Sequence, residues 1–320
     1  MTSSLEATTT RAKRFVAQPD RVAPIVRWME RDLALLEALA RFRFLTTTQL
    51  VEIVGGSRQK VAARLRQLFH HGYVDRPVVQ MDLWRAGSED LVYAIKAKGV
   101  RKLLETGRQE SEQLSLSAKD APKRSAHILH TLGISSFYMA LRRHAPDHGV
   151  DIDWWPESKA LADRTTIVVQ GRKRPFPIFP DAFFRLRIGG AGGLRAFLEI
   201  DMGTEPIERG SDGGSTSGAD LAKKLRAYWQ WGYLEKRHQL HPIYREHAPR
   251  GFVVLLAVNS EQRLKQVLSL TDRQGRGGKL RTHPMPQSEM FWTAVFDPHA
   301  KASIYDVDWQ TFSGTTRRLV

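Results

Sequence analysis

Hydrophobic residues recur at helical spacing from Asp32 onward. In RDLALLEALARFRFL, Leu33, Leu36, Leu39 and Ala40 fall on one face, which predicts a first amphipathic helix. In TTTQLVEIVGG, Thr46 precedes Gln49 by three residues, a capping-box pair, and Gly55-Gly56 is a stop, so a second, short helix and a tight turn follow. Ser57 caps a third helix in SRQKVAARLRQLFHHG, with Val61, Leu65 and Leu68 facing one way and Gly72 just past its end. YVDRPVVQ and LVYAIKAKG read as strands on either side of a polar, turn-prone stretch, RAGSED, and a helix is predicted from about Val100 to Glu105. Residues 1–27 and 108–124 show no period. The first stretch, rich in Thr and Arg, reads as a flexible basic arm and the second as an interdomain linker.

The second half opens with a helix, SAHILHTLGISSFYMALRRH, from residue 125. DIDWWPES reads as a strand, and TTIVVQGRKRPFPIFP as a second strand followed by a basic loop. Between Phe179 and Glu205 two apolar runs are joined by GGAGG. A strand rather than a helix follows those glycines, so they predict a hairpin turn and not a phosphate-binding loop. Beyond the low-complexity RGSDGGSTSGA come a helix in ADLAKKLRAYWQWGYLEKR, a near-continuous apolar strand in RGFVVLLAVNS, a helix in EQRLKQVLSLTDRQ and a last strand in MFWTAVFD, with a mixed tail. That order predicts an α/β sandwich on a mixed sheet over residues 125–310, behind a helical domain with a two-stranded extension over residues 28–107. The chain is thus a two-domain α+β and α/β protein.

Composition changes the picture in one respect. The formal net charge is +15 and the sequence pI is 10.2, which points to a polyanionic partner, double-stranded DNA first. The excess is spread along the chain, with 22 basic against 14 acidic residues in 1–124 and 27 against 20 in the remainder. The third helix carries it most sharply. Opposite its apolar stripe lie Gln59, Ala63 and Arg66, flanked by Arg58, Lys60 and Arg64, with no acid among them. Cations and amides supply donors for phosphates and base edges, and Ala62 and Ala63 permit close approach. There is no cysteine, hence neither a disulfide framework nor a thiolate zinc site. No apolar run approaches the roughly 18 residues of a membrane span, so a cytoplasmic location without membrane association is expected.

The candidate chemistry lies in FPDAFFRLRIGGAGGLRAFLEIDMGTE, which carries Asp181, Glu199, Asp201 and Glu205. On a strand, Glu199 and Asp201 share a face. Burying neighbouring carboxylates costs several kcal/mol unless a cation or donors compensate. If Asp181 at the head of one strand converges with Glu199 and Asp201 on its neighbour, the three offer oxygen ligands for one or two Mg²⁺ ions. A solvated strand face or capping acids are the alternative. His127 and His130, one turn apart on a helix, read as core or capping residues.

Three helices, two strands and a fourth helix over residues 31–107 resemble a winged helix-turn-helix domain. The resemblance implies that Arg58, Gln59, Lys60, Ala63 and Arg66 face the major groove, with Arg64 beside them and Arg85 in the wing. Pro180-Asp181 and Glu199-Ile200-Asp201 resemble the PD-(D/E)xK nuclease superfamily, known for a restriction-endonuclease-like fold. Here Asp201 stands in the place of the signature lysine. The resemblance therefore implies either catalysis with Mg²⁺ or Mn²⁺ and a migrated Lys223 or Lys224, or a nuclease-like domain that has lost its activity and only grips DNA. A winged helix followed by LEIDMGTE and KLRAYWQW resembles the replication-relaxation family over most of residues 31–300. That resemblance implies a plasmid or integrative-element context, with a relaxase or replication protein as a further partner and a homodimer if the DNA site is a palindrome.

Overall fold

Leu35, Leu36 and Leu39, fully buried, make one face of helix α1 (Glu30–Phe42) into a wall of the first unit. The computed structural model describes residues 14–25, 27–83, 90–108, 125–169, 171–189, 192–204, 206–207, 220–272 and 285–320. It divides into two units, Met1–Ser136 and Phe137–Val320. The short strand β1 (Leu45–Thr46) leads into α2 (Thr47–Val54), whose capping box forms as the sequence requires. Thr46 Oγ1 accepts Gln49 N–H at 3.2 Å, and Gln49 Oε1 accepts Thr46 N–H at 2.9 Å. Gly55, at φ 72°, ends the helix. Ser57 then caps α3 (Arg58–His70), which buries Val61, Leu65 and Leu68 completely.

Strands β2 (Val74–Asp75) and β3 (Val92–Ile95) pair antiparallel, and β1 adds to the other edge of β3 in the order β1-β3-β2. The predicted pair is thus three-stranded. Gln80 stitches the segment after β2 to β3, accepting Val92 N–H at 2.8 Å and donating to Val92 O at 3.0 Å. Helix α4 (Ala97–Glu105) begins three residues earlier than the pattern suggested. Within the stretch expected as a flexible arm, 1–27, residues 1–13 and 26 lie outside the described residues, and part of the rest is packed. Phe15 is buried, Arg76 donates to Arg14 O, and Gln18 N–H donates to His70 Nδ1, which together hold residues 14–18 on the unit. Most of the expected linker, residues 109–124, and the wing tip at 84–89 lie outside the described residues. Helix α5 (Ser125–His144) crosses the division between the units.

The second unit is built on a seven-stranded mixed sheet in the order β12-β11-β10-β9-β8-β7-β4. Its strands are β4 (Val150–Pro156), β7 (Ala182–Ile188), β8 (Arg195–Asp201), β9 (Val253–Val258), β10 (Phe291–Val295), β11 (Trp309–Thr311) and β12 (Thr316–Arg317). β8, β9 and β10 run parallel, and every other pairing is antiparallel. The crossovers between the parallel strands carry α6 (Leu221–Tyr228), which continues as a π-helical turn over Trp229–Leu234, then α7 (Pro242–His247) and α8 (Glu261–Leu268). Leu221, Leu225 and Tyr228 of α6 and Leu264 and Val267 of α8 pack with Phe183, Phe197, Val254 and Leu256 in one core. On α5, Phe137 meets Phe184 and Trp309 in a second aromatic layer.

Two readings of the pattern are corrected here. TTIVVQGRKRPFPIFP is not a strand and a loop but a hairpin, β5 (Asp163–Val169) with β6 (Arg172–Ile178), which forms its own two-stranded sheet. Pro175 and Pro177 obscure it, because proline is disfavoured inside a sheet and reads as a break. The mixed tail supplies β11 and β12. The GGAGG turn does join β7 to β8 as an antiparallel hairpin. A Cβ on Gly193 would lie 1.9 Å from Leu186 O, whereas one on Gly192 would meet nothing within 4 Å. Gly193→Ala is therefore expected to cost about 1–3 kcal/mol and Gly192→Ala less than about 0.5 kcal/mol. Urea denaturation checks both.

Candidate nucleic-acid interface and buried carboxylate site

On α3 the apolar stripe points inward, so Gln59, Lys60, Ala63 and Arg66 come out exposed on one side. Arg58 is also exposed, but it donates to Thr48 Oγ1 at 2.5 Å and ion-pairs with Asp90, beside β3. Arg64 leaves the expected set. Its Nε donates to Asp32 Oδ1 at 2.7 Å, a second guanidinium nitrogen pairs with Asp32 Oδ2, and a third donates to Gln67 Oε1 at 2.6 Å. Asp32 is fully buried and also accepts Met29 N–H at 2.9 Å, so it demands a cation and Arg64 supplies it. Arg85 and Glu205 lie outside the described residues.

The three acids of the second unit are all buried, and each has a different partner. Asp181 stands where β7 begins, after Pro180. Its N–H donates to Leu198 O at 3.1 Å, and its Oδ2 accepts Ile200 N–H at 2.7 Å. The ladder between β7 and β8 ends at the pair Ala182↔Leu198, so the Asp181 side chain satisfies the next amide that the strand would have taken. Next to Ile200, Asp201 accepts a bidentate fork from Arg263 of α8, Nε to Oδ2 at 2.6 Å and the terminal nitrogen to Oδ1 at 3.1 Å. Both partners are nine-tenths buried, and Asp201 Oδ1 accepts Gly203 N–H as well.

Glu199, only 2% exposed, faces α6. Tyr228 O–H donates to its Oε1 at 2.5 Å, and Lys224 Nζ lies against Oε2 in an ion pair. Lys224 and Tyr228 are four apart, so one helical face delivers both. Lys223, one position round, instead pairs with the N-cap Asp220 at 3.1 Å. Of the two lysines proposed from the sequence, only Lys224 reaches Glu199. Burial pushes the Glu199 carboxyl up to about 7, against the pull of Lys224, and Asp181 nearby adds to the rise. Burial and then the Glu199 charge drive the Tyr228 hydroxyl well above its usual range. The cluster can hold and exchange a proton at Glu199 near neutral pH, and its only side chain with appreciable exposure is Lys224.

The expected three-carboxylate metal set does not assemble. Among the described residues no three His, Cys, Asp or Glu side chains are grouped to hold a metal ion. Asp201 is committed to Arg263, and the ammonium of Lys224 already stands against Glu199. The residues present thus do not fit a metal bound by Asp181, Glu199 and Asp201 together. The sequence missed Tyr228 and Arg263. The i, i+4 spacing from Lys224 singles out Tyr228, whereas nothing local connects Arg263 to an acid 62 residues away.

A family model described as Replication-relaxation matches residues 36–240, more than half of the chain. Neither a curated protein nor a solved structure matches it.

The Glu199 environment has a pH signature. Its folded value of about 7 exceeds the ordinary 4.5, so its stabilisation is complete below about pH 4.5 and is lost as pH rises through about 7. That loss is roughly 3 kcal/mol. Glu199→Gln removes the titration, so between pH 5 and pH 8 the stability difference is expected to move in favour of the variant by roughly 2–3 kcal/mol. Chemical denaturation at the two pH values measures it, and a pH-independent difference contradicts the assignment.

Proposed function

Because the chain belongs to the replication-relaxation family, we propose that it is a double-stranded DNA-binding factor of a plasmid or integrative element, an accessory to replication, mobilisation and relaxation, or transcription. The first unit acts as a winged helix-turn-helix with α3 as its reading helix. One observation carries this reading: Gln59, Lys60, Ala63 and Arg66 form an exposed stripe, on a helix without any acid, opposite a fully buried apolar face. Arg66 and Gln59 have the donors to read guanine and adenine edges, Lys60 neutralises phosphate, and Ala63 lets the helix approach the groove floor. Arg58 and Arg64 serve the unit itself, Arg58 bracing α2 and the start of β3 and Arg64 neutralising Asp32. A palindromic site would be read by a homodimer, and a relaxase or replication protein would be the further partner. In this reading the second unit is a nuclease-like domain whose acids have become structural.

A second reading is favoured by one specific contact, that of Lys224 with Glu199 beside Asp181. In it the chain is a DNA endonuclease or nickase dependent on Mg²⁺ or Mn²⁺. The engagement of Asp201 by Arg263 weighs against it, and the DNA-binding reading is the conclusion.

Arg66→Ala is expected to weaken specific duplex binding by about 1–3 kcal/mol, measured by fluorescence anisotropy, and unchanged affinity would remove Arg66 from the interface. Purified protein incubated with supercoiled plasmid and Mg²⁺ or Mn²⁺ is expected to leave it intact. Nicking by the wild type that Glu199→Ala lacks would overturn the non-catalytic reading.

A further inference from the structure

The β5–β6 hairpin stands outside the seven-stranded sheet, and the duplex-binding stripe on α3 does not account for it. Isolated two-stranded ribbons are marginal in water, so this one needs anchors. It has them at one end only. Ile167 and Ile178 are buried in the core with Trp231 and Tyr244, Trp231 Nε1 donates to Asp163 Oδ2 at 2.7 Å, and Thr165 Oγ1 donates to Glu235 at 3.0 Å. The other end is open. Beyond the buried Ile167, which pairs with Arg174, the last two rungs are Val168↔Lys173 and Val169↔Arg172, and Val168, Arg172, Lys173 and Arg174 are all exposed. Between Asp163 and Asp181 the sequence carries Arg164, Arg172, Lys173 and Arg174 and no acid.

We propose that this ribbon is a second duplex-DNA contact, which lays Arg172, Lys173 and Arg174 along the phosphates of a groove. The partner class rests on the duplex-DNA reading given above, whereas the surface and its residues are independent of α3. Three features select duplex DNA among polyanions. From Ile167 to Val169 the ribbon runs about 7 Å, within the roughly 8.5 Å depth of a major groove that admits a two-stranded ribbon. The tip offers no aromatic side chain on which single-stranded bases would stack, since Phe176 is half-buried at the anchored end. The ribbon is also not built to receive another strand. Pro175 and Pro177 occupy β6 within a ladder that keeps its register, so their missing N–H groups fall on the free edge and deny it donors.

The test uses the full chain and a labelled duplex titrated between 50 and 200 mM salt, comparing wild type, Arg172→Ala/Lys173→Ala/Arg174→Ala, Arg172→Lys/Arg174→Lys and Arg66→Ala. Each phosphate released lowers the slope of log K against log salt by about 0.9. The alanine variant is expected to lose about tenfold or more in affinity at 100 mM salt, with a slope shallower by about 2–3. The lysine variant, which keeps the charges, is expected to retain the wild-type slope. If the alanine variant keeps both affinity and slope while Arg66→Ala weakens binding, this proposal falls and the α3 reading stands. If Arg66→Ala is neutral and the alanine variant is weakened, the reverse holds. Absence of duplex binding by the wild type overturns both; with a labelled single strand and anionic vesicles titrated in parallel, a loss in the alanine variant confined to those two probes overturns the ribbon's assignment to duplex DNA.

Discussion

A carboxylate on an inner strand of a sheet is stable only where a cation or several donors reach it, and β8 carries two such groups on one face, two residues apart. Glu199 and Asp201 lie beneath the helices that return the chain to β9 and β10, and those helices bring the compensating groups. α6 presents Lys224 and Tyr228 to the first acid, and α8 presents Arg263 to the second. Desolvating an ion costs several kcal/mol, so the positions of both helices over the sheet are constrained by charge as well as by the apolar contacts of Leu225, Leu264 and Val267. Asp181, just before β7 begins, extends that strand's ladder with β8 by accepting Ile200 N–H. Each of the three acids thus ties together elements of the second unit.

Much of this was legible in the sequence wherever a local rule decides the outcome. The capping box of Thr46 and Gln49, the Ser57 cap, the buried stripe of α3 and the glycine hairpin between β7 and β8 all follow from spacing within a few residues. Non-local partners were not legible. Arg64 sits among the residues flanking a groove-facing stripe, yet Asp32, 32 residues earlier and buried, claims it. Asp201 reads as a metal ligand until Arg263 is placed against it. The β5–β6 ribbon was hidden by its prolines, which read as breaks although they sit where an edge strand tolerates them.

The outcome separates the basic residues into two classes. Arg64, Lys224 and Arg263 neutralise buried acids and belong to the fold. Lys60 and Arg66 on α3, and Arg172, Lys173 and Arg174 on the ribbon, are exposed, and they are the residues proposed to meet DNA. Fold alone does not assign an activity; in the carboxylate site Arg263 engages Asp201 and Lys224 stands against Glu199, while Asp181 accepts a backbone amide. The chain belongs to the replication-relaxation family.

The central claim is that α3 reads base edges in the major groove. Enrichment of duplexes bound by the full chain from a random library, followed by methylation interference at guanine N7, tests it most directly, since N7 lies on the major-groove edge. The account predicts a recurrent site in which N7 methylation of particular guanines abolishes binding by the wild type. Failure to enrich any site, or a site indifferent to N7 methylation, would contradict it.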